Sequence, residues 1–122
     1  MPLYIYRGRY NAEAVKGMMT VPDDREAAIA KVLQNAGGKL LAYYLTFGED
    51  DFLFIADCPD NHSALSVAIV GAAGGSISNL KTTVAVTPKE AMAVFKTAGD
   101  LAKAFKSAGR WRDSPESRVA SK

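Results

Sequence analysis

The chain has 122 residues, a length that predicts a single domain. Apolar residues make up 48% of it, and 15 basic against 13 acidic residues leave a net charge of +2. This balance excludes an intrinsically disordered chain and argues against a dedicated nucleic-acid-binding or membrane-surface protein. The single cysteine, Cys58, cannot form an intramolecular disulfide and is expected to be a small buried hydrophobe in a reducing compartment.

The beginning of the sequence carries no recognisable targeting signal. Its residues enter an alternating strand pattern directly, without the basic region and apolar stretch of a secretory signal. No apolar run approaches the roughly 18 residues that a membrane-spanning helix needs. We therefore expect a cytoplasmic protein that does not bind membranes.

The first half of the chain predicts a strand, two helices and a hairpin. Side chains alternate over residues 3–10, which is typical of a strand, and Asn11 can cap a short helix over 12–18. From Arg25 the apolar residues recur at helical spacing until Gly37-Gly38, a pair typical of a helix C-terminus. Two β-type runs then flank an acidic turn and predict a hairpin, with strands over 40–47 and 52–58.

The second half predicts a helix, a strand and a further helix. Asp60 is placed to cap a helix that closes at Gly74-Gly75, and residues 77–86 alternate as a fourth strand. The sequence TPKE at 87–90 is a capping box that opens a helix continuing to Ala108.

The order βαββαβ plus a C-terminal helix predicts an α+β, ferredoxin-like two-layer sandwich with its helices on one sheet face. We expect one domain over residues 1–109 and a flexible basic and polar tail over 110–122.

Both faces of the predicted sheet are apolar. Leu3 and Ile5 alternate with tyrosines, and the second hairpin strand alternates aliphatic residues with Phe52 and Phe54. A face left uncovered by helices and carrying Phe52, Phe54 and a tyrosine would expose an apolar patch of about several hundred Å², which monomers rarely leave in water. We therefore predict that this aromatic face packs against a second copy in a homodimer, with burial by the C-terminal helix as the alternative.

Three segments resemble the GYD-domain family of small bacterial proteins: residues 38–52 (GKLLAYYLTFGEDDF), 56–60 (ADCPD) and 80–84 (LKTTV). Gly48 and Asp51 match the family's hairpin residues, whereas Asp50 stands where the family has a tyrosine. The resemblance implies a ferredoxin-like fold of the dimeric α/β-barrel group, and it implies fold far more than function.

Isolated candidates for chemistry have plainer structural interpretations. His62 could be a general base or a haem ligand, but a lone histidine without an orienting carboxylate is more often an exposed residue at a helix start. The acidic turn at 49–51 could bind a hard cation, although a solvated turn is favoured. The glycine-rich stretch at 71–75 lacks the residues of a phosphate-binding loop. We expect no metal and no cofactor.

A basic stripe is predicted along the C-terminal helix, where Lys89, Lys96, Lys103 and Arg110 recur every seven residues. Such a stripe could attract nucleic acid or an acidic partner, with strongly salt-dependent affinity. Because no aromatic residues interleave the charges, a solvated helix face is favoured.

The aromatic residues of the strands are the main candidates for a site, because they would line either a ligand pocket or the dimer interface. We predict a homo-oligomeric binding or accessory protein without an assigned ligand. The alternative is a cofactor-independent oxygenase or isomerase acting on a small hydrophobic or aromatic metabolite, with His62 or Tyr44 as the acid or base. Catalysis requires a cavity with a titratable group pointing inward. The members of the candidate set are Tyr4, Tyr6, Tyr43, Tyr44, Phe52 and Phe54, with Arg7 and Arg9 near the strand end.

Overall fold

The computed structural model describes residues 1–106, which divide into a compact unit Met1–Ala85 and a second unit that begins at Val86. The first unit contains four strands in the order β2-β3-β1-β4, and all neighbouring strands are antiparallel. The second unit contains α4. The elements are β1 (Leu3–Tyr10), α1 (Ala12–Thr20), α2 (Arg25–Asn35), β2 (Lys39–Leu45), β3 (Phe52–Asp57), α3 (Asn61–Ala73), β4 (Ile77–Ala85) and α4 (Pro88–Ala102).

This order and this strand arrangement confirm the predicted α+β, ferredoxin-like fold with an additional C-terminal helix. The single domain over residues 1–109 stays a prediction, and the tail at 110–122 lies outside the described residues. Within residues 1–106, no helix combines the length and apolarity required to cross a membrane.

The helices begin where the sequence predicts. Side-chain oxygens of Asn11, Asp24 and Asp60 each accept a hydrogen bond from a backbone N–H in the first turn of the helix that follows. Thr87 and Glu90 form the reciprocal capping box that opens α4. Local side-chain chemistry therefore sets all four helix starts.

Several elements end earlier than predicted. The strand β2 ends at Leu45. The N–H of Thr46 donates to the carbonyl of Asp51 across the hairpin, and Phe47, which was predicted to lie in the strand, is 95% exposed. The helix α4 stops at Ala102, where the N–H groups of the next residues bond three positions back and tighten the last turn. The predicted end at Ala108 lies outside the described residues.

Two irregularities in the sheet break the predicted alternation. Leu40 pairs with Ala56 whereas Ala42 pairs with Ile55, so Leu41 is an extra residue in β2. The register of β4 also shifts by one residue, where Asn79 adopts a φ of 52°. An extra residue moves all following side chains to the opposite face, so a regular alternation does not continue through β2, or through β4, where it was predicted for residues 77–86.

The aromatic side chains lie on the face of the sheet that the helices cover, which we call the helix side. Tyr6 and Phe54 are buried there, and the Tyr6 hydroxyl donates to the carbonyl oxygen of Ala64 in α3 at 2.8 Å. The prediction that this set faces away from the helices is wrong. Alternation separates two sets of side chains without specifying which one faces the helices, and here the large rings fill the wider space under α2 and α3. The residues concerned are Tyr4, Tyr6, Phe52 and Phe54.

The opposite surface, which we call the open face, carries the aliphatic set in its middle and charges at its ends. Strand register places Arg7 beside Leu53 and Lys81 at one end, and Asp57 beside Leu3 at the other. The Nε atom of Arg7 is buried and has no hydrogen-bond partner within residues 1–106. The partly buried aliphatic side chains between these ends are Leu3, Ile5, Leu53 and Ile55.

Candidate functional site: a cavity between the sheet and the helices

A cavity of about 200 Å³ lies in the first unit between the sheet and the helices α2 and α3. We call it the helix-side cavity. Its floor is formed by aromatic side chains of three strands, and its walls are formed by small and aliphatic residues of the two helices, so most of its lining is apolar. The floor residues are Tyr6, Tyr10, Tyr43, Phe52 and Phe54, and the helix residues include Ala28, Ile29, Val32, Val67, Ala68 and Gly71.

The floor of the cavity is a continuous set of stacked rings. The ring centroids of Tyr6 and Phe54 are 4.5 Å apart, and those of Tyr43 and Phe54 are 5.5 Å apart with an interplanar angle of 3°. Phe52 extends the set at 6.2 Å from Phe54. Rings packed in this way restrict one another's rotation, so the floor presents an apolar surface of fixed shape.

Two tyrosine hydroxyls provide polar groups at the cavity. The hydroxyls of Tyr10 and Tyr43 are hydrogen-bonded to each other. Burial, and then this hydrogen bond, raise the pKa of Tyr43 well above its ordinary value, while the nearby Arg25 charge lowers it to a smaller extent. Tyr43 is therefore neutral at physiological pH and can donate or accept a hydrogen bond, but it is a poor general base.

Arg25 is the only charged residue that lines the helix-side cavity within residues 1–106. It is the first residue of α2, and its Nη1 atom lies 3.3 Å from the carboxylate of Asp23. The Arg25 side chain is 38% exposed, so the guanidinium lies at the rim. A second recess of about 220 Å³ shares Tyr10 and Arg25 as lining residues and extends toward α1.

The hairpin between β2 and β3 fixes the end of β1 that carries Tyr10. The carboxylate of Asp51 accepts the N–H of Tyr10 at 2.9 Å, and the N–H of Asp51 donates to the carbonyl of Gly8 at 2.7 Å. Gly48 turns the hairpin at a φ of +122°, in the region that favours glycine. These two hairpin residues, Gly48 and Asp51, thus support the cavity from outside it.

Asp50 has a different role from Asp51. Its carboxylate accepts a hydrogen bond from the ammonium of Lys81 at 2.8 Å, which ties the hairpin to β4 at the charged end of the open face.

Within residues 1–106, no group of three or more histidine, cysteine, aspartate or glutamate residues could hold a metal ion.

The other predicted site residues lie away from the cavity. Tyr4 is buried, and its hydroxyl donates to the Oδ1 atom of Asn61 at 2.6 Å. Tyr44 is 59% exposed on the open face, and His62 is exposed in the first turn of α3. Cys58 is buried, and burial raises the pKa of its thiol. The structure therefore brings Tyr6, Phe52 and Phe54 together, but not His62 or Tyr44.

The basic stripe is only partly described. Lys89 and Lys96 lie on α4, and Lys103, which ends the helix, is 3.6 Å from Asp100. Arg110 lies outside the described residues.

The sequence analysis missed Tyr10 and Arg25, which line the cavity. Tyr10 continues the alternating set of Tyr4 and Tyr6, so the strand pattern contained a signal for it. Arg25 carried none, because a charged residue at a helix start is ordinarily solvated.

The sequence model of the GYD domain matches residues 4–95. Among solved structures, TTHA0845 from Thermus thermophilus is 14% identical with a TM-score of 0.48, and the match covers 71% of this chain and 95% of that one. An antibiotic biosynthesis monooxygenase is 15% identical with a TM-score of 0.43, over 71% of this chain and 98% of that one. Neither similarity bears on ligand or reaction. No curated protein matches the chain.

Proposed function

The chain belongs to the GYD-domain family, and we propose that it is a homo-oligomeric binding protein that holds a small apolar ligand in its helix-side cavity. The observation that carries this proposal is an apolar cavity of about 200 Å³ with a hydrogen-bonded pair of tyrosine hydroxyls, Tyr10 and Tyr43. Such a combination of apolar walls and few polar groups is typical of small-molecule sites.

The size of the cavity limits the ligand. An apolar protein cavity of about 150 Å³ is large enough to bind benzene. The helix-side cavity, at about 200 Å³, therefore suits a single ring or a branched alkyl group with a short substituent. The hydroxyls of Tyr10 and Tyr43 would bind a polar substituent of the ligand.

Binding accounts for the lining residues better than acid–base catalysis does. The raised pKa of Tyr43 keeps its hydroxyl neutral, and His62 and Tyr44 do not line the cavity. An oxygenase or isomerase would need another group to accept a proton from its substrate. Turnover of a bound probe in solution would favour that alternative over binding alone.

A cavity-filling variant tests the proposed function. Ala68 lines the cavity, whereas Ala72 lies one turn further along α3 and is exposed. In a nitrogen-edited NMR titration with benzyl alcohol, we expect saturable shifts in the wild type and in Ala72→Leu, and their loss in Ala68→Leu. Circular dichroism would establish that both variants are folded. Absence of binding in the wild type, or equal binding in all three proteins, would contradict the proposal.

For the homo-oligomer, we propose a dimer that forms through the open face. Ile5 and Ile55 are paired in the middle of this face, with Arg7 two residues away in one strand direction and Asp57 in the other. A two-fold axis that crosses the strands would place Arg7 over Asp57 of the partner subunit. Because of the symmetry, the interface would contain two such ion pairs. Lys39 is the register partner of Asp57, but no ion pair between them is formed within residues 1–106.

Sedimentation velocity at micromolar concentration tests the dimer. We expect Ile55→Asp to be monomeric because it places a charge in the middle of the interface. Arg7→Glu and Asp57→Arg should each weaken association by about tenfold or more, and the double variant should restore part of it. A monomeric wild type would contradict the dimer. Equal effects of the single and double variants would contradict the proposed pairing.

We also propose a cytoplasmic location, which the unpaired and buried Cys58 supports because free thiols persist in reducing compartments. Fractionation of cells that express the tagged chain would test it, and recovery outside the cytoplasm would contradict it.

A further inference from the structure

We infer that the ligand of the helix-side cavity is a monocarboxylate, whose apolar body lies on the aromatic floor and whose carboxylate is bound by Arg25 at the rim. This inference rests on the proposed function and names the chemical class of its ligand. It is carried by the placement of Arg25, the one charged lining residue within residues 1–106, at the edge of a mostly apolar cavity.

The charge distribution around the cavity favours an anion. Among the residues that the structure describes, its lining includes Arg25 and no acidic residue. A ligand with a positive charge would lose its hydration without gaining a counter-charge, whereas a carboxylate would meet a guanidinium. The charges of Arg25 and of its partner Asp23 both influence the pKa of Tyr43, in opposite directions, which places this ion pair near the polar end of the cavity.

Arg25 retains binding capacity in the structure. A guanidinium has five N–H donors, and the hydrogen bond to Asp23 uses one of them at 3.3 Å. The Asp23 side chain is 51% exposed, and exposed ion pairs of this kind contribute little stability. A ligand carboxylate can therefore share the guanidinium with Asp23 or displace it at small cost.

The tyrosine pair complements this arrangement. One of the hydroxyls of Tyr10 and Tyr43 donates its proton to the other. The second hydroxyl proton and the free lone pairs therefore remain for a ligand. A carboxylate bound at Arg25 could accept that proton with its second oxygen. Ring-sized monocarboxylates such as benzoate fit both the volume and these donors.

The test compares benzoate with benzyl alcohol, which has a similar ring and no charge. Dissociation constants are measured by NMR titration on the full chain as wild type, Arg25→Gln, Asp23→Asn and Arg9→Gln. Arg9 is the matched control because it is an exposed arginine that binds the carbonyl of Glu49 and does not line this cavity.

In the wild type we expect the dissociation constant of benzoate to be lower than that of benzyl alcohol by about tenfold or more. The reason is that a hydrogen bond between charged groups is stronger than a neutral one. Arg25→Gln should abolish that preference, so that benzoate binds no more tightly than benzyl alcohol. Asp23→Asn should strengthen benzoate binding severalfold because the competing carboxylate is removed. Arg9→Gln should behave as the wild type.

The outcomes separate this inference from the proposed function. If benzyl alcohol binds and benzoate binds no better, or if Arg25→Gln keeps the preference, the monocarboxylate inference is wrong and the proposed binding function stands. If Arg9→Gln reduces benzoate binding as much as Arg25→Gln, the attraction is a general effect of surface charge and the inference is also wrong. If neither probe binds to the wild type, both proposals fail.

Discussion

The two faces of the single sheet differ in chemistry although the same strands form both. On the helix side, stacked rings and tyrosine hydroxyls pack under α2 and α3 and leave a cavity with Arg25 at its rim. On the open face, an aliphatic centre lies between Arg7 and Asp57. Strand alternation thus allows one sheet to combine a ligand-binding side with a surface suited to a second copy, and a substitution on one face should leave the other face largely intact.

The largest expected difference in stability is between alanine substitutions of Phe54 and Ile55, which are adjacent in β3 and point to opposite faces. Phe54→Ala should lower the free energy of unfolding by about 3–5 kcal/mol, because it removes a buried ring from the aromatic floor. Ile55→Ala should cost about 1–2 kcal/mol, because this side chain is only partly buried. Urea denaturation at a protein concentration low enough for the chain to be monomeric measures both, since burial of Ile55 in the proposed dimer would add to its loss. Equal losses would contradict the division into two faces.

The helix starts could be predicted from the sequence because their causes are local. Asp60 and Thr87 cap the helices that they immediately precede, so the relevant hydrogen bonds lie within four residues. The order of the elements was predicted for the same reason, since strand and helix periodicities are properties of short windows.

The irregularities and the site could not be predicted because their causes lie far along the chain. The extra residue at Leu41 is defined only by its pairing with β3, and the choice of the aromatic set for the helix side depends on how much space α2 and α3 leave. Arg25 reaches the cavity through the packing of its helix against the sheet. The candidate site was therefore found in part, through Tyr6, Tyr43, Phe52 and Phe54, whereas Tyr10 and Arg25 were missed.

The next largest effect should separate the two adjacent aspartates of the hairpin. Asp51→Ala removes the carboxylate that accepts the N–H of Tyr10, a residue of the cavity floor. We expect a loss of about 1–3 kcal/mol in unfolding free energy. Asp50→Ala breaks an ion pair with Lys81, whose side chain is 50% exposed, and should cost less than about 1 kcal/mol.

Hydrogen exchange gives a second measurement for this pair. The amide of Tyr10 should exchange faster in Asp51→Ala than in the wild type, and at an unchanged rate in Asp50→Ala. Similar exchange in the two variants would show that Asp51 does not hold the end of β1.

Alkaline pH should destabilise the helix side through Tyr43. The pKa of Tyr43 is raised in the folded protein above the ordinary value of about 10, so both states are protonated below that pH and only the unfolded state ionises just above it. The contribution of Tyr43 to the free energy of unfolding is therefore fully present below about pH 10 and decreases as the pH rises. At about pH 11, one unit above the ordinary pKa, it should be lower by about 1.4 kcal/mol. Tyr43→Phe should lose stability less steeply over this range in urea denaturation, and an identical slope would contradict the assignment.

The smallest effect compares single hydroxyl groups on the two faces. Tyr6 donates its hydroxyl proton to the carbonyl of Ala64 inside the core, so Tyr6→Phe should lower the unfolding free energy by about 0.5–1.5 kcal/mol. Tyr44 is exposed on the open face, and Tyr44→Phe should change it by less than about 0.5 kcal/mol. Both substitutions keep the ring, so the difference isolates the hydrogen bond between β1 and α3. A larger loss of unfolding free energy from Tyr44→Phe would mean that the exposed Tyr44 hydroxyl binds a partner outside its own chain. The open face would then carry a specific polar contact of the dimer interface.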